Sequence, residues 1–244
     1  MHRIVRPMML AALLGALCTA CNPDQSAAPA GRSLKDVPVF PSDPSGFVAH
    51  IDNPFLAFAS GRVFHYRSQT ADGVETNVVA VTNQTRRILG IAATVVHDQV
   101  FLDGALVEDT FDWYAQDTLG NVWYLGEDSK QLENGVVIGT EGSWEAGVNG
   151  AQAGIIMLAQ PQVGTQYQQE LAAGVAEDMA KVLSLSASVQ VVFGAFTDCL
   201  KTEEWTPLEP GSRESKYYKP GVGLVLELQP SGGGIRNELT AIEN

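Results

Sequence analysis

Paired turn residues recur along this chain at intervals that suit β-hairpins and leave little room for long helices. Asp72-Gly73, Asp103-Gly104 and Asn134-Gly135 each fall between runs rich in Val, Thr, Phe, Tyr and Trp. Asp-Gly and Asn-Gly are favoured in two-residue hairpin turns, because both central residues there adopt positive φ. Similar turn signals return at Leu119-Gly120 and at Gly221-Val222-Gly223. The spacing therefore predicts an antiparallel sheet built as a meander.

We expect a mainly all-β fold, an antiparallel β-meander curled into a barrel or half-barrel, with at most one short helix. The helical candidate is Gly174–Leu183, where Val175, Met179 and Val182 recur at helical spacing, and a strand through residues 181–185 competes with it. The predicted strands span residues 61–69, 74–83, 86–101, 105–117, 121–127, 135–140, 164–170, 186–193, 196–206, 213–219, 223–228 and 236–242.

The first twenty residues have the pattern of a bacterial secretory signal. Two arginines precede a short apolar run, and a small residue stands before the expected cut. Residues 17–21 resemble a lipobox, although Cys18 stands where that motif prefers Leu. We therefore expect residues 1–20 to be removed as a signal peptide and Cys21 to carry fatty acyl groups such as palmitate. Ordinary signal-peptidase cleavage after Ala20 is the alternative.

The lipid on Cys21 would attach the protein to a membrane. Asn22 rather than Asp follows Cys21, which resembles the enterobacterial sorting pattern for the outer membrane. We expect a lipid-anchored protein of the bacterial cell envelope, at the outer membrane, and a secreted or periplasmic protein is the alternative. Residues 21–46 are rich in Pro, Ala, Ser and Gly, which predicts a flexible tether. Residues 47–244 are predicted to form a single β-rich domain.

The chain without its signal is strongly acidic. It has 13 Lys and Arg against 28 Asp and Glu, since two of the 15 basic residues lie in the signal. This balance argues against a nucleic-acid partner, which requires a basic surface. Once Cys18 is removed and Cys21 is acylated, Cys199 has no partner for a disulfide. Its apolar flanks predict a buried, unreactive side chain in a strand.

Four segments resemble a pattern met in uncharacterised bacterial secreted proteins and lipoproteins. They are residues 112–114, 121–127, 191–196 and 217–225. Some proteins of that group have β-meander folds like those of the periplasmic lipoprotein carriers. The resemblance implies the fold, and it assigns no catalytic residue. A lipidated chain would depart from the carriers, which are usually soluble.

A register argument brings three carboxylates together on the predicted sheet. If Asp103-Gly104 forms a two-residue turn, Asp98 lies opposite Asp109, and a turn at residues 117–120 places Glu127 on the next strand. Alternate residues of a strand share a face, so all three carboxylates would lie on one otherwise apolar face. That face would also carry the large apolar residues Val96, Val100, Val107, Phe111, Trp113, Trp123 and Leu125. The opposite, solvated face would carry His97, Glu108, Thr110, Asp112, Tyr114 and Tyr124.

Carboxylates buried together need compensation, because an unpaired buried charge costs several kcal/mol. A Ca²⁺ ion bound by Asp98, Asp109 and Glu127 would supply it. Alternatively, one carboxyl keeps its proton and acts as a general acid. The structural explanations are a β-bulge that turns one residue to the other face, a position at an open barrel mouth, or an arginine partner such as Arg86 or Arg87.

These patterns favour an envelope lipoprotein that binds a small apolar or amphipathic ligand in a barrel-like cavity, without a cofactor. Trp113, Trp123 and Phe111 would line the cavity. One alternative is a carboxylate-dependent hydrolase or isomerase acting on a sugar or small amphiphile, with Asp98, Asp109 and Glu127 as acid and base. Another is a Ca²⁺-binding surface or structural protein. The expected partners are the membrane, through the lipid anchor, and a small molecule.

Overall fold

The computed structural model describes residues 38–230 and 234–244. The predicted signal peptide, the predicted lipidation site Cys21 and most of the predicted tether lie outside the described residues. Within them, one short 3₁₀ helix (Pro44–Gly46) precedes fifteen strands of a single antiparallel sheet. The strands are β1 (Val63–Gln69), β2 (Val74–Ile88), β3 (Ile91–Leu102), β4 (Ala105–Gln116), β5 (Val122–Glu133), β6 (Val136–Gly139), β7 (Trp144–Glu145), β8 (Gln152–Met157), β9 (Gln166–Gln168), β10 (Glu170–Leu171), β11 (Met179–Val191), β12 (Gly194–Trp205), β13 (Glu214–Lys219), β14 (Gly223–Gln229) and β15 (Ile235–Glu243).

Two meanders make up most of the sheet. Strands β1 to β5 pair in sequence order, and so do β11 to β15. The meanders are joined where β1 pairs with β15, so the first and last strands of the domain lie side by side. Strands β6, β7 and β8 all pair with β5 at the far edge of the first meander.

The sheet curls until its two ends nearly meet. Its path ends at β9 on one side and β10 on the other, and these strands are adjacent in the chain. Gly154 of β8 lies so close to the β9–β10 segment that a Cβ would stand 2.3 Å from the Gln169 carbonyl oxygen. The predicted fold, an antiparallel meander curled into a barrel, is thus confirmed.

The turn chemistry agrees with the sequence at two hairpins, and the helical candidate is wrong. Asp103 and Gly104 both have positive φ (49° and 84°), as do Asn134 and Gly135 (51° and 77°), which is the geometry of a primed turn. The segment proposed as a helix instead continues into β11, because Met179–Lys181 pair with both β9 and β12. Strand β8 was not predicted, because residues 141–163 contain no predicted strand.

The residues before β1 pack on the barrel. The Phe40 and Trp123 rings are 5.1 Å apart in an edge-to-face contact, so packing begins before residue 47. The centres of the Phe58 and Tyr114 rings are 5.4 Å apart. Cys199 is completely buried, as predicted, and burial raises the pKa of its thiol. No helix in the described ranges is both long and apolar enough to pass through a membrane.

Candidate functional site

The predicted pairing of Asp98 with Asp109 is wrong, because β4 contains a bulge just after the turn. Phe101 pairs with Leu106, but Val100 pairs with Glu108, so Val107 is an extra residue. One extra residue turns every later side chain of the strand to the other face. Asp98 consequently lies opposite Thr110, and Asp109 lies opposite Gln99. The bulge was one of the structural explanations offered for the three carboxylates.

Asp98 and Glu127 lie inside the barrel, with 5% and 2% of their surface exposed, whereas Asp109 points outward. Asp109 Oδ1 is 2.7 Å from His97 Nε2 and accepts a hydrogen bond from Gln99 Nε2. The three carboxylates predicted as one site are therefore separated. The arginine explanation does not apply, since Arg86 pairs with Glu145 and Arg87 donates to the Gly90 carbonyl.

The bulge brings polar side chains of β4 and β5 into the interior. Of the residues that the predicted register placed on the outer face, Thr110, Asp112, Tyr114 and Tyr124 are buried. Among the described residues, nine carboxyl side chains and a single lysine, Lys216, are buried. The nine carboxyl residues are Glu75, Asp98, Asp112, Asp117, Glu127, Glu170, Glu204, Glu214 and Glu227.

Three of these nine carboxyls are explained by ordinary structural contacts. Asp117 shapes its turn by accepting four hydrogen bonds, including one from Trp123 Nε1 at 2.9 Å. Glu204 and Glu214 lie 2.9 and 3.1 Å from the ammonium of Lys216. That ion pair is buried, and the nearby carboxylates hold the pKa of Lys216 above its usual range although burial itself lowers it.

Asp112 and Glu127 form a second group, joined by one tyrosine. The Tyr124 hydroxyl oxygen is 2.5 Å from Asp112 Oδ1 and 3.0 Å from Glu127 Oε2. A phenol has a single proton to donate, so it can serve only one carboxylate at a time. The second contact is satisfied when the other carboxyl is protonated and donates to the tyrosine oxygen. Geometry alone thus favours one shared proton in the pair.

Burial and mutual repulsion assign that proton to Glu127. Burial, followed by the charges of Asp112 and Glu170, raises the pKa of Glu127 well above its usual range. Burial raises the pKa of Asp112 to about 7, and hydrogen bonds from the Tyr124 and Tyr114 hydroxyls oppose that rise. At neutral pH we therefore expect a protonated Glu127 that donates to Tyr124, which in turn donates to Asp112.

A local irregularity in β5 makes this contact possible. Tyr124 and Glu127 are three residues apart, and in a regular strand they would face opposite sides. Asp112 pairs with Glu127 while Tyr114 pairs with Tyr124, so β5 has one residue more than β4 between these pairs. Gly126 sits there with φ 131°, and a Cβ at this position would lie 2.2 Å from the Trp144 carbonyl oxygen. Only glycine fits both the conformation and the space.

Trp144 connects this group to Glu170. The Trp144 indole donates to Glu170 Oε1 at 2.9 Å, and its ring meets Tyr124 edge to face at 5.5 Å. Glu170 is 1% exposed, and burial together with the charge of Asp178 raises its pKa well above its usual range. Three carboxyl oxygens of the group have no hydrogen-bond partner, namely Asp112 Oδ2, Glu127 Oε1 and Glu170 Oε2.

An open cleft of about 420 Å³ lies beside this group. Trp113 and Trp144 line it, and so does Glu127, whose side chain is buried. The Arg86 guanidinium lies 4.1 Å from the centre of the Trp113 ring and bonds Glu145 at 2.5 Å. The rest of the lining is mostly small or apolar: Asp128, Ser143, Val148, Asn149, Ala151, Ala172, Ala173 and Val175. We call this site the Trp113–Trp144 cleft.

Of the three aromatic residues predicted to line a cavity, Trp113 lines this cleft and the other two lie elsewhere. Trp123 is held between Phe40 and Asp117. Phe111 stacks on His97 on the outer face, with ring centres 4.2 Å apart. Trp144, Asp112 and Tyr124 are site residues that the sequence reasoning missed. The Gly126-Glu127 sequence, a glycine inside an aromatic strand, was the available signal, since such a glycine often marks a bulge.

Among the described residues, no three His, Cys, Asp or Glu side chains are arranged so that they could hold a metal ion. The predicted Ca²⁺ ligands Asp98, Asp109 and Glu127 do not converge, because Asp109 lies on the outer face. The geometry of the site is thus that of a carboxyl pair beside an aromatic cleft.

Comparison with known proteins gives structural likeness without a family. No protein-family model matches the chain, and no curated protein matches it significantly in sequence. The fold is similar to that of a protein predicted to be exported, with a YMCC-like fold, from Bacteroides fragilis NCTC 9343 (TM-score 0.47, 16% identity, 78% of this chain and 99% of that one). It is also similar to a predicted lipoprotein from Parabacteroides distasonis ATCC 8503, with a TM-score of 0.44 and 11% identity over 80% of this chain and 100% of that one. A third similar structure is a β-barrel-like DUF1849 protein from Brucella abortus, with a TM-score of 0.38 and 11% identity over 75% of this chain and 96% of that one. At these scores the likeness supports no statement about what this chain binds.

Proposed function

We propose that this protein is a cell-envelope lipoprotein that binds a small amphipathic molecule in the Trp113–Trp144 cleft. One observation carries the proposal: an open cleft with two tryptophan walls meets a buried carboxyl, Glu127, that has an unpartnered oxygen. Ligand sites are typically concave, largely apolar and equipped with a few oriented polar groups. The cleft has each of these features.

The size of the cleft also supports this choice over the barrel interior. An enclosed cavity bounded by Leu56, Phe58, Tyr114 and Lys216 has a volume of about 30 Å³, which is about the share of one water molecule. The cleft is more than ten times larger. We therefore place the ligand in the Trp113–Trp144 cleft, which is lined by residues of β4, β5, β7 and the loop after β10.

The envelope location is proposed from the N-terminal sequence. Residues 17–21 and the residue that follows, Asn22, have the pattern of a lipidated and sorted signal. A lipid on Cys21 would hold the domain at the membrane surface.

Native mass spectrometry of the purified protein tests the binding proposal. We expect a retained small molecule that is lost from Trp113→Ala and kept by Trp205→Ala. Trp205 is a matched control, because it also lies in a strand beneath an arginine, with Arg213 4.5 Å above its ring, and it does not line the cleft. Equal retention of the ligand by both variants would show that the ligand binds outside this cleft.

Catalysis by the same carboxyls is the second candidate function. It is supported by the Glu127–Tyr124–Asp112 chain, which holds a protonated carboxyl at the wall of an open cleft, as a general acid requires. A hydrolase or isomerase of this kind should convert a molecule that the cleft retains. Glu127→Gln should abolish turnover while Glu133→Gln, the same change at an exposed position of β5 outside the cleft, leaves it intact.

A further inference from the structure

The charged side chains around the Trp113–Trp144 cleft are paired, with one exception. Arg86 is paired with Glu145, and Lys130 lies 2.9 Å from Asp128. Glu127 has no cationic partner among the ion pairs of the described residues. Its Oε1 makes no hydrogen bond, although the side chain is only 2% exposed. A buried polar atom without a hydrogen-bond partner costs about 1–3 kcal/mol. A ligand that supplies the missing donor therefore removes this cost when it binds.

The unpartnered atoms in this part of the barrel are hydrogen-bond acceptors when their carboxyls are ionised. They belong to Glu127, Asp112 and Glu170, and the charges of the latter two act on Glu127. When ionised, such a group is complemented by a ligand that brings both hydrogen-bond donors and positive charge. A primary ammonium brings three N–H donors and one positive charge. A neutral hydroxyl brings one donor and no charge.

The aromatic wall already binds a cation of this protein. The Arg86 guanidinium stands 4.1 Å from the centre of the Trp113 ring, which is the geometry of a cation–π contact. The apolar part of an amphipathic ligand needs an apolar surface, and Val148, Val175 and the alanines of the cleft supply it. The cleft thus combines an acidic end with an aromatic and aliphatic wall.

We propose that the polar end of the ligand is a primary ammonium group, which bonds Glu127 while the apolar part of the ligand packs against Trp113. This inference rests on the proposed function, because it uses the same cleft and adds the chemical class of the ligand. It selects small primary amines over alcohols and acids of the same shape.

Binding of an amine should release a proton. In the empty cleft Glu127 shares a proton with Asp112 through Tyr124, and an ammonium displaces that proton because the two positive charges compete for the same carboxyl. Amine affinity should therefore rise as pH rises past about 7, because burial raises the pKa of Asp112 to that value and its ionisation adds negative charge beside the ammonium. The titratable and charged groups that face Glu127 or share its cleft are Arg86, Glu108, Asp112, Tyr124, Asp128, Glu145 and Glu170.

Calorimetric titration with benzylammonium and with benzyl alcohol tests the inference on the purified protein. At about pH 8 we expect the amine to bind at least about tenfold more tightly than the alcohol, a difference of about 1.4 kcal/mol. Glu127→Gln should remove this preference, and Glu133→Gln, the same change at an exposed position of β5 outside the cleft, should retain it. Titrations of the wild-type protein in phosphate and in Tris, which differ in ionisation enthalpy, should show release of a proton with the amine only.

The outcomes separate this inference from the proposed function. If both probes bind equally and no proton is released, the cleft binds ligands but the ammonium assignment is wrong. If neither probe binds, while native mass spectrometry finds a retained ligand that depends on Trp113, the ammonium assignment again fails and the binding function stands. If no retained ligand is found and neither probe binds, both are wrong. The proton measurement needs no variant, so a poorly folded Glu127→Gln protein leaves the test decisive.

Discussion

Replacing Asp112 by Asn should remove part of the pH dependence of stability. Asp112 is completely buried, and burial raises its pKa from 3.8 to about 7. In the unfolded chain this carboxyl returns to its ordinary pKa. Between about pH 4 and pH 7 the folded protein therefore binds more protons than the unfolded chain. It follows that the free energy of unfolding falls as pH rises through this window.

The size of the effect follows from the pKa shift, at about 1.4 kcal/mol for each pKa unit. At about pH 5 the buried Asp112 carboxyl costs about 1.5 kcal/mol, and above about pH 7 the full shift costs about 4 kcal/mol. The wild-type protein thus loses about 2.5 kcal/mol from this group between about pH 5 and about pH 8. Asp112→Asn has no carboxyl to ionise there, and its amide oxygen can still accept the hydrogen bond from Tyr124.

Urea unfolding of both proteins at about pH 5 and about pH 8 measures this difference. Relative to wild type, Asp112→Asn should be more stable by about 2.5 kcal/mol at the higher pH than at the lower. Asp128→Asn is the control, since the Asp128 side chain is 48% exposed and its removal should shift both measurements equally. Parallel pH profiles for wild type and Asp112→Asn would refute the assignment of a raised pKa to this buried carboxyl.

Three further changes test other parts of the structure. Lys216→Met should lower the free energy of unfolding by about 3–5 kcal/mol, because it leaves two buried carboxylates without their cation, and denaturant titration will measure it. Gly126→Ala should destabilise the protein by about 1–3 kcal/mol more than Gly104→Ala. Both glycines have positive φ, but only at Gly126 does a Cβ meet another backbone, so equal losses would argue against the bulge. Cys21→Ser should abolish labelling by a fatty-acid probe, and equal labelling of both proteins would contradict lipidation.

Local turn chemistry was sufficient to predict the fold class. The primed turn at Asp103-Gly104 depends on the two residues at its centre, because Asp-Gly is favoured where both central residues of a hairpin turn have positive φ. The same holds for Asn134-Gly135. Strand runs rich in β-branched and aromatic residues then have few arrangements other than a meander. For this reason the sequence was enough to predict an antiparallel, curled sheet with hardly any helix.

The face on which each side chain lies was decided by the tertiary structure. The strand period of two is reliable only until a bulge, and the extra residue Val107 turns Asp109 outward and Asp112 inward. Nothing in the residues around Val107 distinguishes a bulge from a regular strand. The twist needed to close the barrel is a property of the whole sheet, and the sequence of one hairpin does not contain it.

The candidate site depends on the same long-range arrangement. Glu127 was recognised as a carboxyl on an otherwise apolar strand, and its burial agrees with that interpretation. Its partners come from elsewhere: Asp112 from β4, Trp144 from β7 and Glu170 from β10. Sequence determined which residues could carry charge and which turns could form. Only barrel closure decided which of the charges meet, because burial and pairing of a charge depend on every strand that surrounds it.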